Sequence, residues 1–220
     1  MVPLIVCIKV GTKYGPEYVN RLHAMVERHT IMPHEFLCLT DDALGLTCPT
    51  APIETDLPGW WAKLVLFKPQ RALRGRRVLF LDLDTVIVGN MDCLLEYDGQ
   101  FAILRDFYQP NGYGSAIMSI EPGIGAYLWE QFTPDVMRRL HGDQDWIRAN
   151  SQCDQWQDLY PGKIVSYKVH CQHGIPEGAA VICFHGEPRP HEVTRLSWMQ
   201  ESWHDCDTVT RETRLASAIL

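Results

Sequence analysis

Apolar residues in this chain alternate between two textures. Short, near-continuous apolar runs at residues 3–10, at Phe36 to Leu39 and at Arg77 to Leu81 read as strands buried on both faces. Between the first two, apolar side chains recur from Glu17 onward at Tyr18, Leu22, Met25 and Val26, which is helical spacing, with Pro16 suited to the helix start. Pro, Gly and Thr crowd residues 45–59, which predicts a loop carrying one short strand. Trp60 to Phe67 reads as a helix interrupted near Pro69.

Beyond Leu81, Thr85 to Val88 stays extended and Met91 to Tyr97 forms a short helix. Strands are expected at 101–105 and 115–120, helices around 123–132 and 143–150, strands at 164–169 and 179–184, and a helix from Glu192 through Trp203. Alternating strands and helices predict a layered α/β fold. No repeat or linker divides the chain, so a single domain over 1–205 is expected, followed by a loosely held tail at 206–220.

Composition narrows the partners. With 220 residues, 46% hydrophobic and 21% charged, the chain is long enough to bury a core without staples. A formal net charge of −7 argues against nucleic acid, which is held by clustered Lys and Arg. The N-terminus lacks a basic segment and reads as a strand and not a leader, and no stretch is apolar enough to span a bilayer. Eight scattered cysteines, several inside apolar runs, fit buried thiols and a cytoplasmic location better than a disulfide framework. The groups His170-Cys171-Gln172-His173 and Cys183-Phe184-His185 lack the ligand spacing of structural zinc sites.

The chemistry concentrates where the strongest strand ends, at Asp82-Leu83-Asp84. If the strand continues, both carboxylates project to one side, roughly 6–7 Å apart. Two converging carboxylates repel and are costly to desolvate, and a hard divalent cation such as Mn²⁺ or Mg²⁺ resolves the conflict. Such an ion also stabilises a departing diphosphate. In open α/β sheets ligands sit beyond the carboxyl ends of strands, where this pair lies.

The surrounding segments carry a family likeness. Ala62-Lys63-Leu64 precedes the run from Arg77 through Asp82-Leu83-Asp84-Thr85-Val86-Ile87-Val88-Gly89-Asn90-Met91-Asp92. Gly114-Ser115-Ala116-Ile117-Met118, Gly142-Asp143-Gln144 and Gly186-Glu187-Pro188-Arg189-Pro190 follow in order. Together these resemble the glycogenin-like family 8 glycosyltransferases, over residues 3 to about 191. The resemblance implies a GT-A fold (a mixed, mostly parallel sheet flanked by helices), a nucleotide-sugar donor that is usually UDP-linked, Mn²⁺, and hexose transfer with retention. It implies Asp82, Asp84 and a third residue as metal ligands. It places Gly11, Thr12, Tyr14, Lys63, Asp82, Leu83, Ser115, Gly186 and Arg189 against the donor, and Asp143 and Gln144 where chemistry occurs.

Three positions depart from the family pattern. Cys183 stands where a metal-binding His is usual; if 181–185 is extended, Cys183 and His185 share a face and either could be the third ligand, His185 being preferred because imidazole suits Mn²⁺ better than thiolate. Gly114 replaces an Asn, and Arg189 replaces a Lys. Asp82 through Val86 also fits a haloacid dehalogenase-type phosphatase, in which the first Asp is a nucleophile. Against it, two strands and two helices precede the motif, and residues 85–142 contain no Lys. A catalytically inactive nucleotide-sugar binding module is the remaining alternative. Acceptor and oligomeric state are not legible.

Overall fold

The computed structural model describes residues 2–205; the expected tail at 206–220 lies outside the described residues. Ten strands form two sheets. The larger contains β1 (Leu4–Lys9), β2 (Glu35–Thr40), β3 (Thr50–Pro52), β4 (Val78–Leu81), β6 (Phe101–Arg105), β7 (Tyr113–Ile120) and β8 (Asp154–Gln155). Its order is β3-β2-β1-β4-β7-β6-β8, and β7 alone runs against its neighbours. The smaller joins β5 (Thr85–Ile87), β10 (Val181–Cys183) and β9 (Ile164–Ser166). This is the expected mixed, mostly parallel α/β sheet flanked by helices.

Strand alternation sorts the core into two layers. Ile5, Cys7, Leu79 and Leu81 face one side, where α1 (Pro16–His29) lays down Tyr18, Val19, Leu22, Met25 and Val26. Leu4, Val6, Val78 and Phe80 face the other, where Trp61, Leu64 and Val65 of a 3-10 helix (Gly59–Phe67) pack with Ile147. The sequence predicts a helix over this last segment, and its 3-10 form is the tighter version of that element.

Several short helices complete the layers: α2 (Asp92–Glu96), α3 (Ala126–Glu130), α4 (Pro134–Arg139), α5 (Asp143–Asn150), α6 (Trp156–Leu159) and α7 (Tyr167–His170). The expected strand at 164–169 stops at Ser166, whose hydroxyl accepts the Val169 N–H and so starts α7. The expected terminal helix resolves into a short turn at Pro190–Glu192 and, after irregular chain, a helical stretch from Ser197 through His204. Among the described residues no helix is long and apolar enough to cross a membrane, and the seven cysteines are free thiols.

Candidate functional site at the junction of two sheets

The Asp82-Leu83-Asp84 segment is the joint between the two sheets. Asp82 N–H still donates to Ala116 C=O (2.8 Å) in the large sheet, whereas Asp84 C=O accepts the Phe184 N–H (3.0 Å) beside the small one. Thr85 N–H bonds back to Asp82 C=O (3.2 Å), so the chain turns here. This corrects the expectation of a continuing strand, because the chain turns at Leu83-Asp84. Leu83 follows alternation into the α1-side core, and the turn then sends Asp84 to a different partner from Asp82.

Those partners are charged and polar groups from distant elements. Lys63 Nζ, on the 3-10 helix, meets Asp82 Oδ2 at 2.6 Å and Ser115 Oγ at 3.2 Å. Tyr14 O–H, in the β1–α1 loop, donates to Asp84 Oδ2 at 2.9 Å. The carboxylates nevertheless remain in electrical contact: desolvation, reinforced by the Asp82 charge, pushes Asp84 up to about 7. Desolvation and the Asp84 carboxylate raise the Tyr14 phenol well above its ordinary range. Lys63 is raised: burial pulls it down, but the carboxylates of Asp82 and Asp143 and their neighbour Asp84 outweigh that.

Asp143, at the start of α5, is buried in the same cluster (2% exposed). Burial raises its carboxyl, partly offset by Lys63 and Ser115, and its Oδ2 has no hydrogen-bond partner. A buried carboxylate oxygen without a protein partner calls for one from outside the chain, water or ligand. Arg189 reaches the cluster from the late loop, its guanidinium 5.8 Å from the centre of the Tyr14 ring. Gly11 N–H is held by Asp41 Oδ2 (2.9 Å), which joins the loops after β1 and β2.

The structure thus brings together Tyr14, Lys63, Asp82, Asp84, Ser115, Asp143 and Arg189. Gly11 and Thr12 lie exposed on the neighbouring loop, Leu83 is core, and Gln144 is half-buried beside Asp143. Gly186 is exposed near the Lys168 ammonium, in a left-handed conformation (φ 73°) that glycine adopts freely. One role was not legible in the sequence, Tyr14 as the partner of Asp84, whereas Cys183 lies near the acid pair as its position in the family pattern implied. The Cys183 thiol is pushed well up by burial and then by Asp84 and Asp82. Its register pairing with Thr85 is the signal that locates it.

His185 is engaged elsewhere. Its Nε2 bonds Ser166 Oγ (2.6 Å), and its ring stacks on Phe107 (5.7 Å) and meets Tyr108 (5.3 Å). Its electrostatic neighbours are Lys168 and Asp106, and burial, its largest influence, lowers its pKa. Among the described residues no three His, Cys, Asp or Glu side chains are gathered to hold a metal, so the trio Asp82, Asp84 and His185 is not assembled. What is assembled suits a hard cation that takes fewer protein ligands. Mg²⁺-like ions are commonly held by one or two carboxylates with the remaining positions filled by water and substrate phosphate, and Asp82 with Asp84 supply those two.

Ser166 holds this arrangement with one hydroxyl, so Ser166→Ala should cost about 1–2 kcal/mol through the lost cap and the orphaned imidazole. Thermal unfolding should show a melting point roughly 2–8 °C lower. An unchanged melting point would mean that the contact carries no stability.

Cavities of about 200 and 430 Å³ lie elsewhere, the first along Leu66–Gln70 and Ile120–Ile124, the second between β2 and α1. Neither is lined by the acidic cluster, and charge convergence locates the site better than empty volume.

No protein-family profile and no curated sequence matches this chain. Solved structures do match its fold. The glycosyltransferase GlyE of Streptococcus pneumoniae TIGR4 superposes with a TM-score of 0.69 at 13% identity, over 98% of this chain and 62% of GlyE. LgtC, a galactosyltransferase solved with donor and acceptor sugar analogues, gives 0.57 at 15% identity over 98% and 95%. The bifunctional glycosyltransferase WbbM gives 0.61 at 12% identity over 98% of this chain and 51% of WbbM. The chain therefore has the fold of solved glycosyltransferases and spans less than two thirds of GlyE and about half of WbbM.

Proposed function

We propose that this protein transfers a hexose from a nucleotide-sugar donor, UDP-linked by preference, to an acceptor, in a reaction that needs Mn²⁺ or Mg²⁺. The observation that carries this reading is the convergence of Asp82, Asp84 and Asp143 on the single ammonium of Lys63, in a fold shared with glycosyltransferases. Asp82 and Asp84 would hold the ion, whose bound charge would neutralise the diphosphate as it leaves.

The chain's own groups divide the remaining work. Lys63 and Arg189 offer cationic donors to the departing diphosphate, Lys63 as a point charge and Arg189 as a fork that can bind two oxygens. Preplaced charges of this kind usually supply the largest share of catalysis. The free Oδ2 of Asp143 accepts a hydroxyl of the transferred sugar, and Gln144 borders the same pocket. Ser115 orients Lys63. Tyr14 orients Asp84. Gly11, Thr12, Leu83 and Gly186 shape the backbone around the nucleotide. Retention at the anomeric carbon is the outcome the family resemblance implies. His185 can join the ion only by releasing Ser166, and the two-carboxylate site does not require it.

The test is a thermal-shift and calorimetric titration with UDP and UDP-sugars, with and without Mn²⁺. UDP at about 100 times its Kd should stabilise the protein by roughly 2.7 kcal/mol, in the presence of the ion. Absence of any metal-dependent UDP binding, or robust turnover of a generic phosphomonoester, would overturn the reading.

A further inference from the structure

Two adjacent tryptophans, Trp60 and Trp61, open the 3-10 helix that carries Lys63, and the structure separates their environments. Trp61 is 6% exposed and packs on Phe132, with ring centres 5.1 Å apart. Trp60 is 49% exposed. Its ring meets that of the exposed His141 at 6.1 Å and a 34° tilt. A Cβ built on Gly142 would lie 3.5 Å from Trp60 Nε1, so the indole rests against that backbone.

Single apolar residues on a surface need no explanation. Trp60 differs in what it is attached to. Side chains three apart in a 3-10 helix eclipse, so Trp60 shares a face with Lys63 and sits one turn further out, about 6 Å along the axis. His141 and Gly142 run directly into Asp143 and Gln144. The two rings are thus carried by two of the segments that build the acidic cluster, one turn from Lys63 and two residues before Asp143.

The pair of rings has a chemistry of its own. An indole face binds the C–H face of a pyranose, and its N–H and the His141 nitrogens can meet hydroxyls at the ring edge. A diphosphate gains nothing from a neutral aromatic surface, and the cations that suit it lie deeper, at Lys63 and Arg189. One 3-10 turn is comparable to the width of a sugar ring, so a pyranose on Trp60 is the next sugar outward from one seated at Lys63 and Asp143. Resting on the glycosyl-transfer reading, we propose that Trp60 and His141 form the platform that receives the acceptor, and that the acceptor presents a pyranose ring there.

The test follows the indole N–H of Trp60 in ¹H–¹⁵N spectra, assigned by its loss in Trp60→Phe. Methyl glucopyranoside, methyl galactopyranoside and methyl N-acetylglucosaminide are titrated with and without UDP and Mn²⁺. At least one glycoside should move the Trp60 signal, and Trp60→Ala and His141→Ala should each bind it more weakly, Trp60→Ala by about tenfold. UDP affinity should be unchanged in both variants. Because Trp60 is exposed, both substitutions should leave the melting point near that of the parent. A Trp60 signal that no glycoside moves, or a glycoside that binds without moving it, overturns the platform. Equal loss of UDP affinity in Trp60→Ala would assign the indole to the nucleotide instead and overturns it too. If UDP fails to bind the parent protein while a glycoside still moves Trp60, the transfer reading falls and the sugar platform stands.

Discussion

Asp84→Asn should lose Mn²⁺-dependent UDP binding by about 100-fold or more without lowering the melting point, because the amide removes a carboxylate that burial and Asp82 disfavour. Second-shell partners of a metal ligand typically change metal affinity by 10–100-fold, and a carboxylate proposed to hold the ion directly should lie at or beyond the upper end. The amide keeps the shape of the side chain, and its oxygen can still accept the Tyr14 O–H that Asp84 accepts at 2.9 Å. Asp84→Ala removes that acceptor as well and should cost about 1 kcal/mol of stability in addition. Calorimetry of UDP binding with and without Mn²⁺, beside thermal unfolding of both variants, separates the two effects. Parent-like metal-dependent binding by Asp84→Asn would remove Asp84 from the ion site.

The largest effect on stability is expected far from that site, at Trp156. Its side chain is fully buried, its N–H donates to Ile117 C=O (3.1 Å), and its ring contacts Tyr160 (6.0 Å) and Tyr97 (5.3 Å). Tyr97 in turn donates to Asp154 (2.7 Å), so this cluster fastens β8 and α6 to the sheet. Trp156→Ala should cost about 3–5 kcal/mol from the cavity and the lost contacts. For a chain of this length that corresponds to a melting point roughly 10–15 °C lower. Trp156→Phe retains most of the packing and should lose about half as much. A drop of only a degree or two in the alanine variant would show that the cluster is dispensable.

What the sequence revealed and what it withheld differ by range of interaction. The strands β1, β2 and β4 and the helix α1 were legible because each has one dominant local pattern. α4 was missed although Thr133 and Pro134 carry a helix-start signal, Thr133 as N-cap and Pro134 at the first position. Only six residues long, it has too few turns to show periodicity. The turn at Asp82-Leu83-Asp84 was read as strand because Leu83 does keep the alternation. The bond that ends it, from Thr85 N–H to Asp82 C=O, leaves no mark on hydrophobic order.

Within the candidate site, Asp82 and Asp84 stood out by composition and position. Their partners did not, because Lys63 lies 19 residues from Asp82 and Tyr14 lies 70 from Asp84. The family resemblance named both residues without giving these pairings. For His185 the residue type suggested a metal ligand, whereas the fold supplies Ser166 and two aromatic rings that hold the imidazole. Local sequence carries no information about which of those claims on a side chain is the stronger.

The joint between the sheets has a mechanical consequence. Asp82 is fastened by its backbone to the large sheet and Asp84 to the edge of the small one, so the gap between the two acids measures how those sheets sit against each other. A ligand that draws the acids together can turn their side chains, but their backbones stay fixed to two different sheets. The pairing of β5 with β10 therefore helps fix where the Asp84 backbone stands relative to Asp82.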